Sequence, residues 1–213
     1  MSLPTPADGP NWELTLSVST ADQTHALGAA LASELDAGDL LVLSGELGAG
    51  KTTFTQGLGE GLGVRAGVIS PTFVLVRIHP NLPDGPRPGG PDLVHVDAYR
   101  LGSASEIDDI DLENTMDSAV TVVEWGRGRV EHLSESRLEV DLHRTIGLQT
   151  EPGSIAGGSG APGSSALGSS APGAGVLDFD TEDNDEPRTI VLRGFGPRWS
   201  SRPDLAGIPE GTA

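Results

Sequence analysis

The chain reads as an α/β domain: a mostly parallel central sheet flanked by helices, with a long disordered insertion before the last strand. Three observations predict this. Strand-like and helix-like hydrophobic patterns alternate along the sequence. A short apolar run, Leu40 to Leu43, passes directly into a glycine-rich stretch and then into a helical pattern. A large share of the Gly, Pro and acidic residues is gathered into two segments, leaving the elements between them regular.

Residues 1–11 show no hydrophobic period and are expected to be a flexible N-terminus. Trp12, Leu14, Leu16 and Val18 then alternate with polar residues, the period of a half-buried strand. Thr20 with Gln23 three positions later fits a capping box, Leu27, Leu31 and Leu35 share one helical face, and Gly38 closes the segment. Leu40 to Leu43 suits a parallel strand buried on both faces. The helix after it has Phe54, Leu58 and Leu62 on one face, weakened by Gly57, Gly59, Gly61 and Gly63, which are read as compositional drift rather than close packing. Further strands are expected at Phe73 to Ile78, Leu93 to Val96, Val120 to Val123, Arg137 to Leu142 and Thr189 to Leu192. Ser103 to Asp117 carries six acidic residues around Ile107, Ile110 and Leu112 and is read as a solvated polar face, with a partner-docking surface as the sharper option.

Two segments interrupt the pattern. Pro80 to Pro91 contains eight Gly or Pro residues in twelve and reads as a flexible loop insertion. Residues 149–187 combine a Gly/Ser/Ala/Pro tract with an acidic run and cannot bury enough apolar surface to order themselves. The expected domain therefore spans 12–148, is completed by a final strand at 188–195, and ends in a flexible tail at 196–213.

At 213 residues the chain suits one compact domain. Thirteen basic against 31 acidic residues give a formal charge of -18, which disfavours unaided binding to nucleic acid or to an anionic membrane. Cysteine is absent, which excludes a disulfide framework, a thiol nucleophile and a Cys-based zinc site, and the five histidines lack paired metal spacing. No apolar run approaches the ~18 residues of a membrane span, and the first residues lack a signal-peptide pattern, so a cytoplasmic protein is expected.

Gly45-Glu46-Leu47-Gly48-Ala49-Gly50-Lys51-Thr52 satisfies the phosphate-loop pattern G-x-x-x-x-G-K-[ST] between a strand and a helix, the context the motif requires. The glycines let successive N–H groups face phosphates, and the following helix offers its positive N-terminal end to the same anion. Lys51 is the chain's single lysine among twelve arginines, and an ammonium suits this position where a planar guanidinium does not. Thr52 offers a hydroxyl to magnesium. Asp97 and Glu124 each follow an apolar strand, where a carboxylate completes a magnesium shell or activates water. Ser70-Pro71-Thr72-Phe73 lies where a switch-like segment would bring Thr72 to the γ-phosphate. The fold class is accordingly P-loop NTPase-like.

Four blocks in this order, Gly45 to Phe54, Ser70 to Phe73, His95 to Leu101 (HVDAYRL) and Glu124-Trp125-Gly126, resemble the TsaE (YjeE) family. That family is the ATPase component of the bacterial machinery that forms N6-threonylcarbamoyladenosine at position 37 of tRNAs reading codons that begin with A. The resemblance implies ATP and Mg2+ as cofactors, and TsaD-like and TsaB-like proteins as partners, with tRNA met only through the complex. It implies that Glu46, Leu47, Gly48, Ala49, Gly50, Lys51, Thr52 and Thr53 hold the nucleotide, joined by Thr72, Trp125 and Arg188. It also implies magnesium ligation by Thr52 with Glu124, and a supporting carboxylate at Asp97; which of the two carboxylates touches the metal directly stays open. Lys51, Asp97 and Glu124 are the expected catalytic residues. Two rivals remain: a small-molecule kinase with an Arg127/Arg129 lid in a Gly-flanked stretch, and a non-catalytic nucleotide-dependent binding module. A regulatory GTPase of the usual kind is disfavoured, because its guanine-reading motif needs a second lysine.

Overall fold

The computed structural model describes residues 9–101, 103–108, 110, 112–144 and 187–205. Seven strands form one sheet in the order β1-β7-β6-β2-β5-β4-β3. They are β1 (Trp12–Val18), β2 (Leu40–Gly45), β3 (Val76–His79), β4 (Asp92–Asp97), β5 (Ala119–Glu124), β6 (Arg137–Arg144) and β7 (Arg188–Phe195). The core β6-β2-β5-β4 is parallel, whereas β3 pairs with β4, β7 with β6, and β1 with β7 in antiparallel fashion. This is the expected mixed α/β architecture around a parallel core.

Strand β2 is buried on both faces, which explains its unbroken apolar run. Leu41 and Leu43 join a cluster beneath α1 (Ala21–Leu31) and α2 (Lys51–Leu62) that includes Leu27, Leu31, Phe54 and Leu58. Leu40 and Val42 face the opposite cluster, with Ile107, Leu112 and Met116 from the segment that holds α3 (Ala104–Asp108) and α4 (Glu113–Met116). The apolar residues of that segment are therefore used by the core, and none of Ile107, Leu112 and Met116 is left for a docking partner. Helix α1 starts as expected: Thr20 Oγ1 accepts from the Gln23 N–H at 3.1 Å, and Gln23 Oε1 accepts from the Ser19 N–H at 2.6 Å.

The glycines of α2 correct the expectation of drift. A Cβ at Gly57 would stand 1.9 Å from the His25 carbonyl oxygen, one at Gly61 2.5 Å from the Ala29 oxygen, and one at Gly28 in α1 2.2 Å from the Phe54 oxygen. The two helices pack backbone to backbone, and only hydrogen fits between them.

Three further expectations change. The run at Phe73 to Ile78 enters the sheet only at Val76. Before it, the Val74 and Leu75 N–H groups both donate to the Pro71 carbonyl, Leu75 takes a φ of 66°, and Phe73 is 87% exposed. The loop at 80–91 is tied down rather than loose: Asn81 Nδ2 donates to Leu62 and Arg87 carbonyls, and the Arg87 guanidinium donates to those of Ala32 and Leu35. In place of a flexible tail, residues 196–205 fold back on the sheet. Trp199 is buried, Trp12 Nε1 donates to its carbonyl at 2.9 Å, and Arg198 donates to both carboxylate oxygens of Asp39. The disordered insertion expected at 149–187 lies, apart from Pro187, outside the described residues, as do 1–8 and 206–213. Among the described residues no helix is long and apolar enough to cross a membrane.

Candidate functional site

The parallel strands β2, β4 and β5 end side by side, and the register places Asp97 opposite Glu124 and Leu43 opposite Glu124. The chain leaves β2 through Gly45, whose φ of 147° and position 2.4 Å from the Leu142 carbonyl oxygen, measured at the missing Cβ, admit no side chain. It enters α2 through Gly50 at φ 101°, so the loop curls over the helix N-terminus. The buried Lys51 ammonium folds back into this curl, donating to the Gly45 carbonyl at 2.9 Å and the Glu46 carbonyl at 3.0 Å. Burial pulls its pKa below the ordinary lysine value, and the nearby carboxylates of Glu124 and Asp97 oppose that shift.

The Trp125 ring covers the same ammonium, with Nζ 4.0 Å from the ring centroid. Trp125 takes a φ of 63°, a left-handed conformation unusual for a large residue, while its N–H donates to the Leu43 carbonyl. Tyr99 meets the indole edge-on at 5.4 Å.

Both Asp97 oxygens are engaged: Oδ1 accepts from the Tyr99 N–H at 2.9 Å and Oδ2 from Thr72 Oγ1 at 2.8 Å. Thr72 Oγ1 in turn lies 2.7 Å from Ser70 Oγ. Glu124 Oε1 lies 3.4 Å from Thr52 Oγ1 and 2.9 Å from His95 Nε2. A cavity of about 600 Å³ opens among these groups, lined by Lys51, Thr52, Thr72, Asp97, Glu124 and Trp125, with the backbone of Gly48 and Gly50, Leu47 and Thr53.

The structure thus brings together most of the residues singled out by sequence. Glu46 is exposed and gives the site its carbonyl, and Ala49 is buried. Arg188 is buried behind the loop, its Nε 3.8 Å from where a Gly50 Cβ would be. The Arg127/Arg129 lid does not form over this cavity: Arg127 pairs with Glu139 and Asp141 at 3.1 and 2.6 Å, and Arg129 donates to the Ala98 carbonyl at 2.7 Å.

Sequence reading missed Arg144, which stands opposite Arg188 across β6 and β7, its Nη1 3.6 Å from the Cβ position of Gly48. It also missed His95 and Tyr99, although both lie within the HVDAYRL block that pointed to Asp97.

The family model described as "Threonylcarbamoyl adenosine biosynthesis protein TsaE" matches residues 18–150. A Streptomyces coelicolor protein named tRNA threonylcarbamoyladenosine biosynthesis protein TsaE is 59% identical over 82% of this chain and 93% of its own. A Bacillus subtilis protein of the same name is 39% identical over 58% of this chain and 73% of its own. Among solved structures, Bacillus subtilis YdiB superposes with a TM-score of 0.55 at 27% identity, covering 88% of this chain and 89% of that one.

Proposed function

The chain belongs to the TsaE family of threonylcarbamoyl adenosine biosynthesis proteins, and from that premise we propose that it is a magnesium-dependent ATP hydrolase working within the tRNA-modifying assembly. The observation that carries this reading is the convergence of Lys51, Thr52, Thr72, Asp97 and Glu124 on one cavity at the C-terminal ends of parallel strands.

The residues present fit nucleotide and metal. The loop at 45–50 turns through positive φ at Gly45, Gly48 and Gly50, the backbone form in which successive N–H groups can meet phosphate, and a single ammonium stands inside it. Thr52 and Glu124 offer a hydroxyl and a carboxylate 3.4 Å apart, hard oxygen donors of the kind magnesium takes alongside substrate phosphates. When bound, magnesium would neutralise charge spread over the β- and γ-phosphates.

Lys51 supplies positive charge to the same oxygens, released from its carbonyl partners in the loop. Thr52 and Glu124 hold the metal side of the site, and Asp97 orients the attacking water while Thr72 fixes the carboxylate. Trp125 covers Lys51 and excludes solvent, which strengthens each of these interactions. The threonylcarbamoyl chemistry belongs to TsaD-like and TsaB-like partners. With a net charge of -18, the chain meets tRNA through them rather than alone.

ATP turnover measured with and without a TsaB–TsaD pair tests the proposal. Stimulated turnover that is lost in Lys51→Ala, together with loss of tRNA modification, is expected. Normal modification by that variant with unchanged turnover would sink the reading.

A further inference from the structure

One polar side chain beside the carboxylates has no part in the chemistry above. His95 lies two residues before Asp97 on β4, so the strand period puts both on one sheet face, and its cross-strand neighbour Val122 puts Glu124 on that face too. This is the face covered by α2. His95 is fully buried, with 0% exposure, and its Nδ1 has no hydrogen-bond partner among the described residues. Among those residues its one hydrogen bond runs from Nε2 to Glu124 Oε1 at 2.9 Å, the oxygen that also lies 3.4 Å from Thr52 Oγ1.

A buried imidazole kept for packing alone would cost the desolvation of both nitrogens, where an apolar residue costs none. Here the ring directs its single bond at a carboxylate, and a carboxylate only accepts, so the proton belongs on Nε2. We infer that His95 is a positioning residue for Glu124: its Nε2–H fixes the rotation of the carboxylate so that it faces Thr52 before metal and nucleotide arrive. Hydrogen bonds to ligating carboxylates tune metal sites in this way. The inference rests on the magnesium–nucleotide reading of the same cavity.

Calorimetric titration of a non-hydrolysable ATP analogue, in EDTA and in magnesium, separates the two. In EDTA the phosphate loop alone sets affinity, and the wild-type chain, His95→Leu and His95→Gln should bind alike. The gain on adding magnesium should fall on the order of 10–100-fold in His95→Leu. It should be largely kept in His95→Gln, whose amide presents an N–H near the Nε2 position. In the wild-type chain, nitrogen-15 spectra of the histidine rings should show His95 protonated at Nε2 and bare at Nδ1. An undiminished magnesium gain in His95→Leu, a Gln variant no better than Leu, affinity lost equally in EDTA, or a proton on Nδ1 alone would each overturn the inference. A wild-type chain that gains nothing from magnesium would instead overturn the underlying reading, and this inference with it.

Discussion

Gly57→Ala sets two familiar effects against each other. Alanine favours an exposed helix interior over glycine by about 1 kcal/mol, so propensity alone predicts stabilisation. The structure predicts the reverse. The added methyl would lie 1.9 Å from the His25 carbonyl oxygen and 2.8 Å from its carbonyl carbon, both backbone atoms of α1 that no rotamer change can move. Restoring contacts of ~3.5 Å requires the helices to part by roughly 1.5 Å, and a gap of even 1 Å forfeits up to half of each contact's attraction. Overpacking commonly costs ~1–3 kcal/mol, and an obstacle made of backbone belongs at the top of that range. Subtracting the propensity gain leaves about 2 kcal/mol of destabilisation, or a Tm lowered by roughly 4–8 °C for a domain of this size. Because α2 begins at Lys51, nucleotide affinity should fall as well. Thermal unfolding followed by far-UV circular dichroism reads the effect. An unchanged or higher Tm would refute the close-packing argument and return these glycines to compositional drift.

Glu124→Gln keeps the shape of the side chain but removes its charge, and should reduce ATP turnover at least ~100-fold while nucleotide binding in EDTA survives; turnover assays and titration check both halves. Arg127→Ala should cost only about 1 kcal/mol, because Glu139 keeps Arg137 and Asp141 keeps Arg193, and the Arg127 side chain is half-exposed. Its nucleotide affinity should be unchanged, whereas a kinase lid would lose affinity or phosphate transfer. Burial holds the His79 pKa below the ordinary 6.5, helped by the positive charge of Arg77. The unfolded chain therefore gains a proton first on acidification, and this contribution to stability is present above about pH 6.5 and lost as pH falls through the folded value. His79→Leu should flatten the decline in Tm between neutral and mildly acidic pH, a slope of at most about 1.4 kcal/mol per pH unit; an unaltered slope would refute it.

Much of the core and the site was legible because their determinants are local. The phosphate loop is eight contiguous residues, the Thr20 cap spans four, and Asp97 and Glu124 stand at the ends of short, mostly apolar runs. What escaped depends on partners distant in sequence. Whether β3, β7 and β1 run with or against their neighbours is set by pairing, such as Trp12 with Gly194, which no hydrophobic period records. Gly57 reads as a weak helix residue until His25 is known to lie against it. Arg127 looks like a mobile cation in a Gly-flanked stretch until Glu139 and Asp141 are seen to fold under it from β6. Trp199 gave no signal of its own, since one tryptophan beyond the last strand is buried only by the return of the chain onto Trp12 and Asn11. Phe73 failed in the opposite sense: an apolar residue in a β-prone run stands exposed because Thr72 is drawn to Asp97 and the chain turns there.

The central claim is that this cavity holds ATP through Lys51 and magnesium through Thr52 and Glu124. A crystal structure with a non-hydrolysable ATP analogue and magnesium tests it most directly. The account predicts the β- and γ-phosphates inside the loop at 45–52, Lys51 moved from the Gly45 and Glu46 carbonyls onto them, and the metal touching Thr52 Oγ1 and the Glu124 carboxylate. Phosphates bound elsewhere, or a metal held away from both Thr52 and Glu124, would contradict it.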